Sequence, residues 1–245
     1  MSLVIAVYVP EGIIMASDSR QSITIEGKSP EGKDFRVETV NSDAVIKTFL
    51  LEVQRVGISC FGQDVLGGQT IASHIKIFIE AELAAADDIE SVPHKLVVYI
   101  RNFFPDADTG FHIAGYKREG KISVPYVYYC HIAKNEVIRR NVRPDGSISY
   151  GAAWAGQIDI VTSILNPVVI KDEGGEEKII RPIAPISWEV MPLQDAIDFS
   201  IYAIQTTIDT MRFQARPKSV GGPIDILVLT PEVVRWIQRK ELHGK

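Results

Sequence analysis

Cysteine is scarce in this chain: there are two in 245 residues, Cys60 and Cys130, each inside an apolar run. A secreted domain of this length ordinarily carries more, so the pair reads as buried free thiols in a reducing, cytoplasmic setting. Histidine is also sparse. His74, His94, His112, His131 and His243 lack the short spacings and neighbouring Cys or carboxylate motifs of a zinc site. Basic charge is not in excess, with 26 Lys and Arg against 31 Asp and Glu. That removes the electrostatic reason to expect a nucleic acid or an anionic membrane as partner. Aromatic residues make up 8% and are not interleaved with basic ones, so no base-stacking platform is expected. No apolar run approaches the roughly 18 residues of a spanning helix. The opening run has no basic flank and is cut by Pro10-Glu11-Gly12, unlike a signal peptide. GQDVLGGQT at 62–70 has glycines but lacks the closing Lys-Ser/Thr of a phosphate loop, and no Gly-x-Ser-x-Gly elbow occurs. No metal or cofactor is implied.

What the chain does have is strand and helix patterning along its whole length. Leu3–Val9 is continuously apolar, as in a strand covered on both faces, and residues 12–17 read as its hairpin partner. Residues 26–43 are polar and turn-rich, an excursion or short hairpin, and strands follow at 44–51 and 55–61. Helical spacing predicts helices at 64–86 and 91–104, the second with Ser91 as N-cap. Strands are expected at 110–117, 122–131, 135–142 and 148–155, and a helix at 157–165. A Pro- and Gly-rich insertion spans 166–191, the clearest helix runs over 192–213, and a buried strand lies at 223–230. The chain is expected to end on a short amphipathic helix around Pro231–Leu242. Two stacked sheets with helices on both outer faces account for this order. The expectation is one α+β domain over 1–245, a four-layer αββα sandwich of two antiparallel sheets.

The chemistry-bearing residues are Ser2, Asp18 and Lys47. If Met1 is removed, Ser2 offers a hydroxyl nucleophile and a free α-amine on one residue, and its small side chain favours that removal. An α-amine titrates at about 8, so a fraction is neutral at pH 7 and can accept a proton. Lys47 lies in the apolar stretch AVIKTF, where burial favours an uncharged amine or demands a partner. Asp18 stands near the end of the second strand and can be that partner. The plainer alternative is that Lys47 snorkels to solvent and Asp18 opens a turn with Arg20.

Four stretches together resemble a proteasome β-type subunit, a member of the N-terminal nucleophile (Ntn) hydrolases. SLVIAVYVPEGIIMASDSR puts Asp18 sixteen positions after Ser2. DAVIKTFLL is similar to the strand carrying the family's catalytic Lys, VGISCFGQDVLGG to the strand-loop-helix after it, and SVGGPIDILVLTPE to the late Gly-Gly strand. The resemblance implies the Ntn αββα fold and a serine-type peptidase or amide hydrolase. Ser2 Oγ would attack, Lys47 and the Ser2 amine would move the proton, Asp18 would hold Lys47, and the Gly62 N–H would stabilise the oxyanion. It also implies a peptide or protein substrate and a homo-oligomer, ring or stack, in the cytoplasm, of divergent bacterial or archaeal type.

The departures are specific. The family's supporting Asp and Ser fall at Pro217 and Val220, and another supporting Ser falls near Ala155, none of which can serve. Asp209 and Ser219 lie nearby. The C-terminal Glu-Leu-His-Gly-Lys is unlike a tail that docks on an ATPase ring, which leaves an unfoldase partner open. A catalytically inactive assembly or binding subunit is the main alternative, and an amide hydrolase or ligase with a small or defined substrate is a third.

Overall fold

A computed structural model describes residues 2–171, 174, 177–181 and 184–241. The uniformly apolar Leu3–Val9 forms β1, buried at every position, and β2 (Gly12–Ser17) returns beside it with Val4 opposite Ser17. β3 (Gln21–Lys28) and β4 (Asp34–Ser42) make a separate two-stranded hairpin, so the polar 26–43 excursion belongs to a longer hairpin. β5 (Thr48–Leu51) and β6 (Val56–Gly62) follow. β7 (Val65–Leu66) and β8 (Gln69–Thr70) pair across the glycine turn at 67–68.

The helix expected over 64–86 is therefore shorter: α1 spans Ile71–Ala81, with Thr70 Oγ1 accepting from the Ser73 N–H. In α2 (Ser91–Phe103) the cap is not Ser91. Asp88 Oδ1 accepts from the N–H groups of Glu90 and Ser91, so the carboxylate supplies the N-terminal bonds. β9 (Thr109–Glu119), β10 (Ile122–His131), β11 (Glu136–Arg139) and β12 (Gly151–Gly156) lead to α3 (Asp159–Leu165). The 166–191 insertion holds the hairpin of β13 (Val168–Lys171) and β14 (Glu177–Arg181) and a 3-10 turn at Trp188–Val190. α4 (Leu193–Phe213) precedes β15 (Asp225–Leu229).

The terminal helix expected at 231–242 is instead a strand, β16 (Val234–Gln238), paired antiparallel with β15. Its half-buried Val234 and Trp236 alternate with exposed Arg235 and Ile237, the period of a strand, although Val233, Trp236 and Ile237 also fall at the i, i+3, i+4 spacing of a helix. Leu242 lies outside the described residues.

Two five-stranded antiparallel sheets result, ordered β12-β1-β2-β15-β16 and β11-β10-β9-β6-β5. Ala6, Ile13, Met15 and Leu227 of the first meet Ala114 and Val127 of the second between the layers. Outside the second sheet, Phe78 of α1 and Leu96 and Ile100 of α2 cover Ile58, Phe111 and Ile113. Outside the first, Ile160 of α3 and Ile197 and Ile204 of α4 cover Ile5, Ile14 and Ile226. This is the αββα sandwich. Each sheet buries both faces, and in the first sheet β1 and β2 accordingly read as nearly unbroken apolar runs. Cys60 and Cys130 are free and buried, and burial pushes the Cys60 thiol up to about 12 and raises Cys130 as well. Among the described residues no helix is long and apolar enough to cross a membrane.

Candidate active site

The head of β1 is where the predicted residues converge. Ser2 is buried, and its carbonyl accepts the Gln157 N–H at 2.7 Å. The contact is close because Gly156 ends β12 at φ +93°: a Cβ there would stand 1.8 Å from the Ser2 oxygen. Met1 lies outside the described residues.

Asp18 follows β2 and is fully buried, with both carboxylate oxygens used twice. Oδ1 accepts from the Leu3 N–H at 2.9 Å and from Lys47 Nζ at 2.7 Å. Oδ2 accepts from the N–H groups of Arg20 and Gly221, each at 3.1 Å. One oxygen thus ties the Lys47 ammonium to the peptide that joins Ser2 to Leu3. Nζ also donates to the Arg20 carbonyl at 2.6 Å. Lys47 does not snorkel; its side chain is 1% exposed. A buried charge of this kind persists only when paired and hydrogen-bonded, and here it is both.

The strand expected over 44–51 begins later, at Thr48, so Lys47 precedes it. Lys47 still continues the ladder, because its carbonyl accepts the Cys60 N–H at 2.8 Å. That bond places Gly62 two residues further along β6. Gly62 holds φ +86°, and a Cβ would lie 2.2 Å from the Asp108 oxygen, so only glycine fits. No hydrogen bond among the described residues joins Gly62 to Ser2, Asp18 or Lys47. The structure therefore brings Ser2, Asp18 and Lys47 together directly and Gly62 only through the backbone.

Each side chain of the tight Ser17-Asp18-Ser19-Arg20 cluster has its own partner. Ser17 Oγ accepts from Thr48 Oγ1 at 2.9 Å, and Thr48 and Ser59 share a further hydroxyl contact at 2.9 Å. Ser19 Oγ donates to the Pro223 carbonyl at 2.6 Å. The Arg20 guanidinium forks onto both oxygens of Asp43 at 2.6 and 2.8 Å and reaches the Lys218 carbonyl at 3.1 Å. Its hydrogen bonds to Arg20 hold the Asp43 carboxyl below the usual range.

The supporting groups came from unexpected places. Val220 is buried among apolar side chains, and Ala155 is a small strand residue, so neither fills the missing polar role. Asp209 bonds Gln205 on an exposed face of α4 and takes no part. Ser219 does: it is buried and donates to Gln157 Oε1 at 3.3 Å, one residue from the Ser2 carbonyl. Gln157 carried no recognisable signal, since its contact with residue 2 is through the backbone.

Two facing sheets with helices outside, and a buried Lys–Asp pair at the head of the first strand, define an α+β chain of αββα architecture. A scan of protein families finds no match, and no curated protein matches in sequence. Among solved structures, a glycine mutant of Anbu from Hyphomicrobium sp. strain MC1 is similar, with a TM-score of 0.60 and 15% identity, over 98% of this chain and 86% of that one. A second Anbu structure from the same strain gives 0.59 and 16%, over 97% and 86%. At such identity the likeness is one of fold alone. The motif resemblance to proteasome β-type subunits is corrected on this ground: no family matches, and these similar structures are Anbu chains. The motifs that carried it mark a first hairpin, a strand–loop junction and a buried Lys–Asp pair, features of an architecture more than of one family.

Proposed function

We propose that the chain is a hydrolase of amide bonds, with Ser2 as nucleophile once Met1 is removed. The observation that carries this reading is the sharing of Asp18 Oδ1 between Lys47 Nζ and the Leu3 N–H. It ties an ammonium to the Ser2–Leu3 peptide, next to the residue on which a free amine and a hydroxyl would coincide.

Ser2 Oγ attacks the substrate carbonyl carbon while its proton passes to the neutral α-amine. The oxyanion is stabilised by the Gly62 N–H and by the positive charge of Lys47. Collapse breaks the C–N bond, the departing amine takes the proton, and water then hydrolyses the acyl-serine ester. Asp18 holds Lys47, while Gln157 and Ser219 hold the Ser2 carbonyl; these are positioning residues. A peptide or protein is the substrate class, and the chain acts as one domain in a reducing cytoplasm where Cys60 and Cys130 remain thiols.

A homo-oligomer belongs to this reading. β3 and β4 expose Ile23, Ile25, Phe35 and Val37, and a lone two-stranded hairpin is marginal in water without cover.

Covalent labelling by an electrophilic peptide tests the reading. The wild type is expected to gain one adduct on Ser2 and Ser2→Ala none. Equal labelling of both removes Ser2 from the chemistry and favours a non-catalytic assembly role.

A further inference from the structure

A polar row crosses the inner face of the second sheet. Thr48 pairs with Ser59, Ser59 with His112, and His112 with Tyr129, so the four side chains share one face. The row starts next to Lys47 and ends at a cavity of about 300 Å³ whose walls include Tyr8, His112, Tyr129, Arg140 and Trp154. That volume is at the lower end for small-molecule sites.

His112 is the anomaly. It is 1% exposed, yet neither ring nitrogen has a hydrogen-bond partner. Burial, and next the Arg140 charge, pull its pKa down to about 4; the Tyr128 backbone opposes this weakly, without hydrogen-bond geometry. At neutral pH the ring is therefore uncharged, with one donor and one acceptor nitrogen. Buried polar groups are almost always satisfied, so this ring is a socket for something absent from the chain itself. Arg140 is exposed, and its guanidinium lies 4.8 Å over the Tyr129 ring. No carboxylate among the described residues pairs with it. A cation and an unsatisfied neutral imidazole therefore both adjoin the Tyr129 ring, whose centroid is 6.1 Å from that of His112.

The geometry points to a binding site for a small aromatic carboxylate bearing a hydroxyl or amide opposite its acid group. Arg140 takes the carboxylate in its fork, Tyr8 and Tyr129 wall the ring, and His112 exchanges a hydrogen bond with the inner polar group. The site makes no use of Ser2 and stands independently of the proposed hydrolase.

Calorimetric titration of the full chain with 4-hydroxybenzoate and with benzoate tests this. Saturable one-to-one binding of 4-hydroxybenzoate is expected, with benzoate weaker by about ten-fold or more because it leaves His112 unpaired. Arg140→Gln and His112→Phe each weaken 4-hydroxybenzoate by at least about ten-fold, while Ser2→Ala binds as the wild type does. The benzoate comparison reads the His112 contact in unaltered protein, should His112→Phe fold poorly. No saturable binding at millimolar ligand overturns the site. So does unchanged affinity in Arg140→Gln, or equal affinity for the two ligands, since a surface cation alone would take either carboxylate.

Discussion

Lys47 Nζ and Asp18 Oδ1 stand 2.7 Å apart with side-chain exposures of 1% and 0%. The two partners are not equally supported. Without Lys47, the Asp18 carboxylate keeps three backbone N–H donors, from Leu3, Arg20 and Gly221. Without Asp18, the ammonium keeps, among the described residues, only the Arg20 carbonyl. Asp18→Ala is expected to lose about 3–5 kcal/mol of stability, and Lys47→Met less, while Lys47→Met abolishes turnover and stays folded. Urea unfolding and a peptide-hydrolysis assay check both, and equal destabilisation would contradict the asymmetry.

Gly156 and Ser2 form the next testable contact. Gly156→Ala forces a side chain into a left-handed backbone and onto the Ser2 carbonyl. A loss of roughly 2 kcal/mol or more is expected, together with slower labelling of Ser2 in the fraction that folds. Ser219→Ala removes only the hydroxyl that steadies Gln157, so its effect is expected to fall on labelling rate with stability nearly unchanged. A Ser219→Ala protein that labels at the wild-type rate removes it as a positioning residue.

The buried His112 sets a pH dependence. Its folded pKa is about 4 against 6.5 for an unperturbed imidazole. Between these values the unfolded chain binds the proton and the folded chain does not, so stability present above pH about 6.5 is lost as pH falls toward 4. The loss amounts to at most about 3 kcal/mol. His112→Phe removes this contribution, and its melting temperature is expected to fall less between neutral and mildly acid pH. Identical slopes for the two proteins would count against a neutral, buried imidazole.

The layers of the sandwich were legible because burial on both faces leaves its mark locally: Leu3–Val9 and Asp225–Leu229 are apolar at almost every position. The Lys47–Asp18 pair was legible for a related reason, since a charge inside AVIKTF demands a partner. What escaped was set by backbone geometry or tertiary pairing. Gly67 and Gly68 turn a hairpin inside an otherwise helical period, and β16 is a strand because β15 offers it an edge. Gln157 meets Ser2 through an N–H that every non-proline residue owns. The motif order suggested a family, but local motifs record the architecture more faithfully than the lineage, and only the fold was carried by the comparison with solved structures.

The account rests on a free amine at Ser2, and N-terminal peptide mapping of the purified protein by mass spectrometry tests it most directly. The predicted result is a first peptide beginning at Ser2 with an unmodified amine. A first peptide that retains Met1, or carries a blocked Ser2 amine, would contradict it and leave the sandwich without its proposed chemistry.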